Sequence, residues 1–353
     1  MKNYYKTILL FLVFTLFSIV SCQDNLAPEI ENSIADNVSV VEKTKTQKLA
    51  DELFKEGAII SADKVPKIIK AADVLKSLND NILLLDIRGA KDFASGHIKN
   101  AINIKMSEII DFAQTKGLPM YDKVIMICYT GQSASYSAAV LQMLGHDNIY
   151  VLDWGMGVWN NKFSAKWVEN TSDKGIGKLV KTLYKKNIPT ELPVIVDKKN
   201  AGVEILLSRA RKILKDDFGS VAVSYDYAAF NANANQAYVV CYQSKEIYNE
   251  GHINHAVLYN QENSLNLSTD LLTLPTDKTI IVYSNKAYQS TFITVYLKML
   301  GYNARTLKFG ANSFMKSKLE SSGDAFSKGV IKNYSYETSK YIEVVVEVQK
   351  GGC

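Results

Sequence analysis

The run Val124-Ile125-Met126-Ile127-Cys128-Tyr129-Thr130-Gly131-Gln132-Ser133-Ala134 decides the reading of this 353-residue chain. Its apolar half reads as a strand that ends on Cys128. A short polar loop with one glycine follows, and residues 133–144 read as a helix stopped at Gly145. The thiol is thus expected at the carboxyl end of a strand. There the loop's N–H groups can surround it, and the next helix points its positive end at it. Such a setting favours a thiolate, the form that attacks sulfur or phosphorus. A buried structural cysteine is the competing reading.

The flanking sequence adds weight to the first. Upstream stands Leu83-Leu84-Leu85-Asp86-Ile87-Arg88, then Asp92-Phe93 and Gly96-His97-Ile98. Downstream stands Leu152-Asp153-Trp154-Gly155-Met156-Gly157-Val158-Trp159. In order and spacing, residues 59–168 resemble the rhodanese domain. That resemblance implies an α/β fold around a central parallel sheet flanked by helices, with Cys128 as a nucleophile that carries a persulfide.

The residues read one by one agree. Residues 83–85 form a wholly apolar run, as a parallel strand covered on both faces requires. Asp86 and Arg88, two apart, share one side of that strand end. Arg88 is expected to pair with Asp92 as scaffolding. His97, after Gly96, reads as a hydrogen-bonded turn residue rather than a general base, and Trp154 as a structural part of the late glycine-rich turn.

Many active members of the resembled family carry Arg directly after the cysteine and a second basic residue four after it. Here those positions hold Tyr129 and Gln132. The substrate-binding loop then offers only the hydroxyls of Tyr129, Thr130 and Ser133, the Gln132 amide and the backbone around Gly131. Without loop cations for thiosulfate's charges, it suits a less charged donor, a persulfide or a protein thiol. It also argues against phosphoryl transfer. Cysteine phosphatases use Cys-x5-Arg, but Ala134 stands six after Cys128 and no Arg occurs from 129 to 145.

The chain then repeats itself. Residues 237–256, with Cys241, Gln243 and Gly251-His252, match residues 82–101, and Leu152 and Leu307 keep the spacing of the two Gly-His pairs. The second unit, residues 201–335 and opening with a helix near 203–214, is therefore expected to be a whole second rhodanese-like domain. Its cysteine position falls on Tyr283 or Ser284, neither of which can carry a persulfide. Cys241 stands where the first unit has Asp86 and reads as a buried small residue. Lys286 reads as a solvated charge. Residues 169–200 read as a linker.

At the N-terminus, Lys2 and Lys6 precede an apolar run at 8–20, too short to span a bilayer comfortably. The ending Ser18-Ile19-Val20-Ser21-Cys22 resembles a bacterial lipoprotein box. It implies a signal peptide over 1–21, a lipid on Cys22, a tether over 22–58 and a membrane-anchored place in the cell envelope. At the other end, residues 336–353 are expected to hold a strand near 341–348 and a Gly-Gly-Cys arm, whose Cys353 could relay sulfur.

The net charge of +5 gives no nucleic-acid footprint, and the four cysteines give neither a disulfide framework nor a zinc pattern. No metal and no cofactor are implied. The partners expected are small-molecule or protein donor and acceptor thiols. Two functions compete: a sulfurtransferase working through Cys128, and a non-catalytic rhodanese-fold binding or scaffold protein.

Overall fold

The structure, a computed structural model, describes residues 42–55, 57, 60, 66–260 and 264–340. Cys22, Cys353 and the strand expected at 341–348 lie outside the described residues. Among those described, no helix is long and apolar enough to cross a membrane.

Helix α1 (Lys45–Phe54) comes first. Domain 1 runs β1 (Ile68–Ile69), α2 (Ala71–Lys76), β2 (Ile82–Asp86), α3 (Ala90–Ser95), β3 (Ile102–Asn103), α4 (Ile109–Lys116), β4 (Lys123–Ile127), α5 (Gln132–Met143), β5 (Ile149–Leu152), α6 (Met156–Trp159) and α7 (Ala165–Asn170). Helix α8 (Gly202–Asp216) leads into domain 2. That domain runs β6 (Ala222–Val223), α9 (Tyr225–Asn233), β7 (Ala237–Cys241), α10 (Lys245–Glu250), β8 (Val257–Leu258), β9 (Thr279–Tyr283), α11 (Tyr288–Met299) and β10 (Ala304–Leu307).

Each domain holds a five-stranded parallel sheet, ordered β1-β5-β4-β2-β3 and β6-β10-β9-β7-β8, so the second repeats the first strand for strand. The apolar runs of β2, β4, β7 and β9 fill the centres, buried because helices cover both faces. Helices α5 and α11 are buried on nearly every side. Their small, hydroxyl-bearing and apolar side chains leave no charged face, so each needs cover on both sides. Each lies on its own sheet and packs along the other, which joins the two domains.

Helix α1 starts with a capping box between Thr44 and Gln47 and lays Leu49 and Leu53 into the core beside Ile205 of α8. The later part of the stretch expected as a tether is therefore folded. The amphipathic spacing of its leucines carried that information.

The segments after the two domains cross over. Residues 172–190, expected as a linker, run along domain 2. There Val180 exchanges backbone hydrogen bonds with His252, and Thr190 N–H donates to Leu272. After domain 2, residues 332–339 return to domain 1. Glu337 exchanges backbone bonds with His97, Lys332 and Tyr334 N–H donate to Val158 and Trp159, and Ser339 N–H donates to Ala94. Each domain is thus closed by the tail of the other, and the boundary expected at 335 falls inside one continuous strap.

Candidate active site

Cys128 follows the last residue of β4 and is 3% exposed. Its Sγ accepts hydrogen bonds from the N–H groups of Gly131, at 3.1 Å, and Ala134, at 3.4 Å. The loop can turn this tightly because Gly131 takes φ +84, and a Cβ there would lie 2.6 Å from the Tyr288 ring of domain 2. Gly155 closes the far side; a Cβ on it would lie 2.5–2.7 Å from Cys128 O, Thr130 N and Gly131 N. The sulfur therefore rests in a cradle of backbone dipoles at the head of α5.

Above it opens a cavity of about 490 Å³. Domain 1 supplies Arg88, Asp92, Cys128, Tyr129, Thr130, Gln132, Ser133 and Lys166 to its wall; Phe218, Lys308 and Phe309 come from the chain beyond α8. Sequence reasoning missed Lys166, Phe218, Lys308 and Phe309. The one available signal was the constant repeat spacing, which sets Lys308 and Phe309 against Asp153 and Trp154.

Arg88 does not pair with Asp92. Its Nη2 lies 2.6 Å from the Asp86 carboxylate and donates to Gly96 O at 2.7 Å. Both members are buried, and alternation along the strand end puts the two side chains together. Arg88 Nη1 has no hydrogen-bond partner, and the guanidinium lies 5.1 Å from the Tyr129 ring and 5.3 Å from the Phe163 ring. Asp92 faces the Tyr129 hydroxyl instead. Burial, and then that carboxylate, raise the Tyr129 pKa, against the opposing pull of Arg88. Lys166 sits over the other part of this arrangement, 4.1 Å from the Tyr129 ring.

Gln132, expected to meet substrate, faces two ways. It borders the cavity, but its side chain is 2% exposed and its bonds are internal: Nε2 donates to Thr130 Oγ1 at 3.1 Å, and Oε1 accepts from Phe309 N–H at 2.7 Å. It is a strut between the domains. His97 is away from the cavity wall, stacked on Phe93 with Nδ1 2.9 Å from Phe93 O. Trp154 (φ 60) packs among Trp167, Tyr288 and Phe326, and its N–H donates to Tyr288 Oη at 2.6 Å.

The matching place in domain 2 is filled. Ser284, after β9, stands where Cys128 stands, and its Oγ accepts from Ser290 N–H at 3.1 Å. Tyr283 belongs to the strand itself. Asn285 donates to Asp324 at 2.7 Å and accepts from Gln243. Lys286 is not a solvated charge; it lies between Asp153 at 3.4 Å and Asp324 at 3.3 Å, over the Trp154 ring. Cys241 is fully buried, with its thiol pushed up to about 12 by burial.

A parallel sheet built twice, with a cysteine cradle at the end of one copy, defines the class. The chain belongs to the rhodanese-like domain family: the family model "Rhodanese-like domain" matches residues 70–162 and again 228–317, just over half of the chain. Sulfur transfer is an activity of this family. Among curated relatives, the thiosulfate sulfurtransferase GlpE of Pseudomonas fluorescens (strain SBW25) is 33% identical over 84 residues, 24% of this chain and 75% of that protein. GlpE of Pseudomonas putida (strain GB-1) is 28% identical over 94 residues, 27% of this chain and 84% of that protein. Among solved structures, the 3-mercaptopyruvate sulfotransferase SseA from Escherichia coli is 16% identical, with a TM-score of 0.26, covering 69% of this chain and 97% of that one. A rhodanese-related protein from Thermoplasma volcanium is 25% identical, with a TM-score of 0.22, covering 28% of this chain and 92% of that one.

Proposed function

We propose that the protein is a sulfurtransferase that carries sulfane sulfur as a persulfide on Cys128. The observation that supports this is the pair of N–H groups, from Gly131 and Ala134, converging on one sulfur at the floor of a cavity. In the first step the Cys128 thiolate attacks the outer sulfur of the donor. A new S–S bond forms, the donor's S–S bond breaks, and its electron pair leaves on the departing group. In the second step an acceptor nucleophile attacks the bound sulfur and Cys128 departs as thiolate. Both steps pass negative charge through the sulfur nearest the cradle, where fixed N–H dipoles stabilise it without reorganising. Incubation with a sulfane donor should add about 32 Da to the protein, and an acceptor thiol should remove it. Cys128→Ser should abolish the adduct, since a serine hydroxyl ionises too weakly and holds no sulfane sulfur. An adduct that persists in Cys128→Ser would refute the reading.

The place of action rests on the sequence around Cys22. The reading is a lipoprotein held in the cell envelope by acyl chains on that thiol, each contributing about 0.8 kcal/mol per buried CH₂. Metabolic labelling with a radiolabelled fatty acid should mark the wild type and leave Cys22→Ala unlabelled. Equal lipid labelling of both would refute it. Cys353 remains a candidate acceptor, tested by whether Cys353→Ser slows discharge of the adduct.

A further inference from the structure

We infer that Lys308, a residue of the non-catalytic domain, binds the anionic end of the sulfur donor together with Lys166, so that domain 2 sets donor specificity for the domain 1 site. The inference rests on the sulfur-transfer reading and names the donor's chemistry: a sulfane sulfur joined to a compact oxyanion.

The internal repeat carries it. Asp153-Trp154-Gly155 after β5 and Lys308-Phe309-Gly310 after β10 are the same element. Asp153 N–H donates to Ile69 O at 2.9 Å and Lys308 N–H to Val223 O at 2.8 Å. Trp154 and Phe309 take φ 60 and 61. Each element faces the opposite domain's loop. On the degenerate side, Asp153 reaches the loop residue Lys286, and the ion pair closes the space. On the catalytic side the charge of the element is reversed and the loop offers no counter-charge. The loop there holds Tyr129, Thr130 and Gln132, and Lys308 makes no ion pair among the described residues. The place that a protein carboxylate takes on one side is left, on the other, as a cavity wall.

The backbone around Lys308 is fixed. Its own N–H is bound to Val223, and the next N–H, that of Phe309, is bound to Gln132 in the loop that holds Cys128. The lysine is therefore held in register with the nucleophile. Lys166 enters from α7 over the Tyr129 ring. Arg88 lies in the same wall but is balanced by Asp86, and Asp92 is the carboxylate among the lining residues. Lys166 and Lys308 thus leave the cavity with an excess of positive charge. The cations missing from the loop are supplied by α7 and by the other domain. An oxyanion donor fits this wall better than the less charged donor that the loop alone suggests.

The test uses the intact protein and two independent readouts. The first is steady-state kinetics with thiosulfate and with an alkyl thiosulfonate, which carries one negative charge fewer on the leaving group. Lys308→Ala should raise KM for thiosulfate roughly tenfold or more with a smaller change in kcat, and raise it less for the thiosulfonate; Lys308→Arg should restore it. The second needs no turnover. Sulfate should slow alkylation of Cys128 by iodoacetamide, relative to chloride at equal ionic strength, in the wild type and Lys308→Arg but not in Lys308→Ala or the Lys166→Ala, Lys308→Ala double variant. Protection that is absent from the wild type, or equal in the double variant, overturns the inference. Protection that follows Lys308 in a protein that turns over no donor supports the anion site, and it is the sulfur-transfer reading that falls.

Discussion

Gln132 and Tyr288 open α5 and α11 at matching positions, and each holds a backbone N–H of the opposite domain. Gln132 Oε1 accepts from Phe309 at 2.7 Å, and Tyr288 Oη accepts from Trp154 at 2.6 Å. The donors are themselves matching residues, both at positive φ. The two loops clasp one another through one interaction used twice with different side chains. The loop that holds Cys128 is therefore shaped in part by domain 2.

Gln132→Ala should leave the Phe309 N–H without its acceptor and cost about 1–3 kcal/mol. Gln132→Arg, which would place a cation four residues after Cys128, should cost more, because the site is buried between the domains. It should not improve thiosulfate turnover. Differential scanning calorimetry with a thiosulfate assay reads both. A Gln132→Arg protein with wild-type Tm and faster turnover would contradict the strut.

Asp153 gives a pH dependence of defined sign. Burial raises its pKa, and Lys286 is the main force holding it down. A carboxyl whose folded pKa lies above its unfolded value binds more protons when folded, so its contribution to stability falls as pH rises from about 4 through the raised value. Lys286→Met removes the opposing charge and should steepen that fall, with a loss of about 3 kcal/mol at neutral pH that shrinks towards pH 4. Unfolding temperatures at several pH values would show the gap between variant and wild type widening as pH rises. A gap independent of pH would mean that the pair does not govern this carboxyl.

Ser284→Cys should not create a second sulfur-carrying site. The position has a cradle like that of Cys128, but Asn285, Lys286 and Asp324 fill the space a donor would need. Combined with Cys128→Ser, the Ser284→Cys variant should gain no adduct of about 32 Da, one sulfur atom, on exposure to donor. Cys241→Ser should likewise leave loading unchanged, since burial holds that thiol far from ionisation at neutral pH. Loading that tracks either position would reverse the assignment of the active half.

Most of the sheet was legible in the sequence, because parallel strands buried on both faces are written as short apolar runs and the repeat wrote them twice. The cradle was legible for a similar reason: a strand, a cysteine, one glycine and a helix leave little other geometry. The partner of Arg88 was not, because Asp86 and Asp92 are both within reach in sequence and only the strand end places the first beside the guanidinium. Gln132 misled because a polar residue in the loop after a candidate nucleophile looks like a ligand group. Nothing local says that another domain's N–H will take its oxygen. The folded state of α1 and the crossing of residues 172–190 and 332–339 are tertiary facts, resting on partners distant in sequence.

Truncation at residue 331 should damage domain 1, not domain 2. It leaves the His97 N–H and C=O, the Val158 and Trp159 carbonyls and the Trp159 indole N–H without their partners. The loss should be about 3 kcal/mol or more and should shift tryptophan fluorescence to the red. A stop after Lys340 should spare every one of these contacts and stay near wild type. Equal behaviour of the two truncations would show that the strap contributes little.

The strap also sets an order of events during synthesis. Domain 1 leaves the ribosome first, yet residues 332–339, which close it, are among the last described. At about 5–20 residues per second, the roughly 170 residues that separate Phe163 from Glu337 amount to a delay of roughly 10–35 s. Through that interval the edge at Gly96, Phe163 and Trp159 stays uncovered. The newborn domain is sealed only after domain 2 has been made, so a ribosome that stalls within domain 2 leaves domain 1 unfinished.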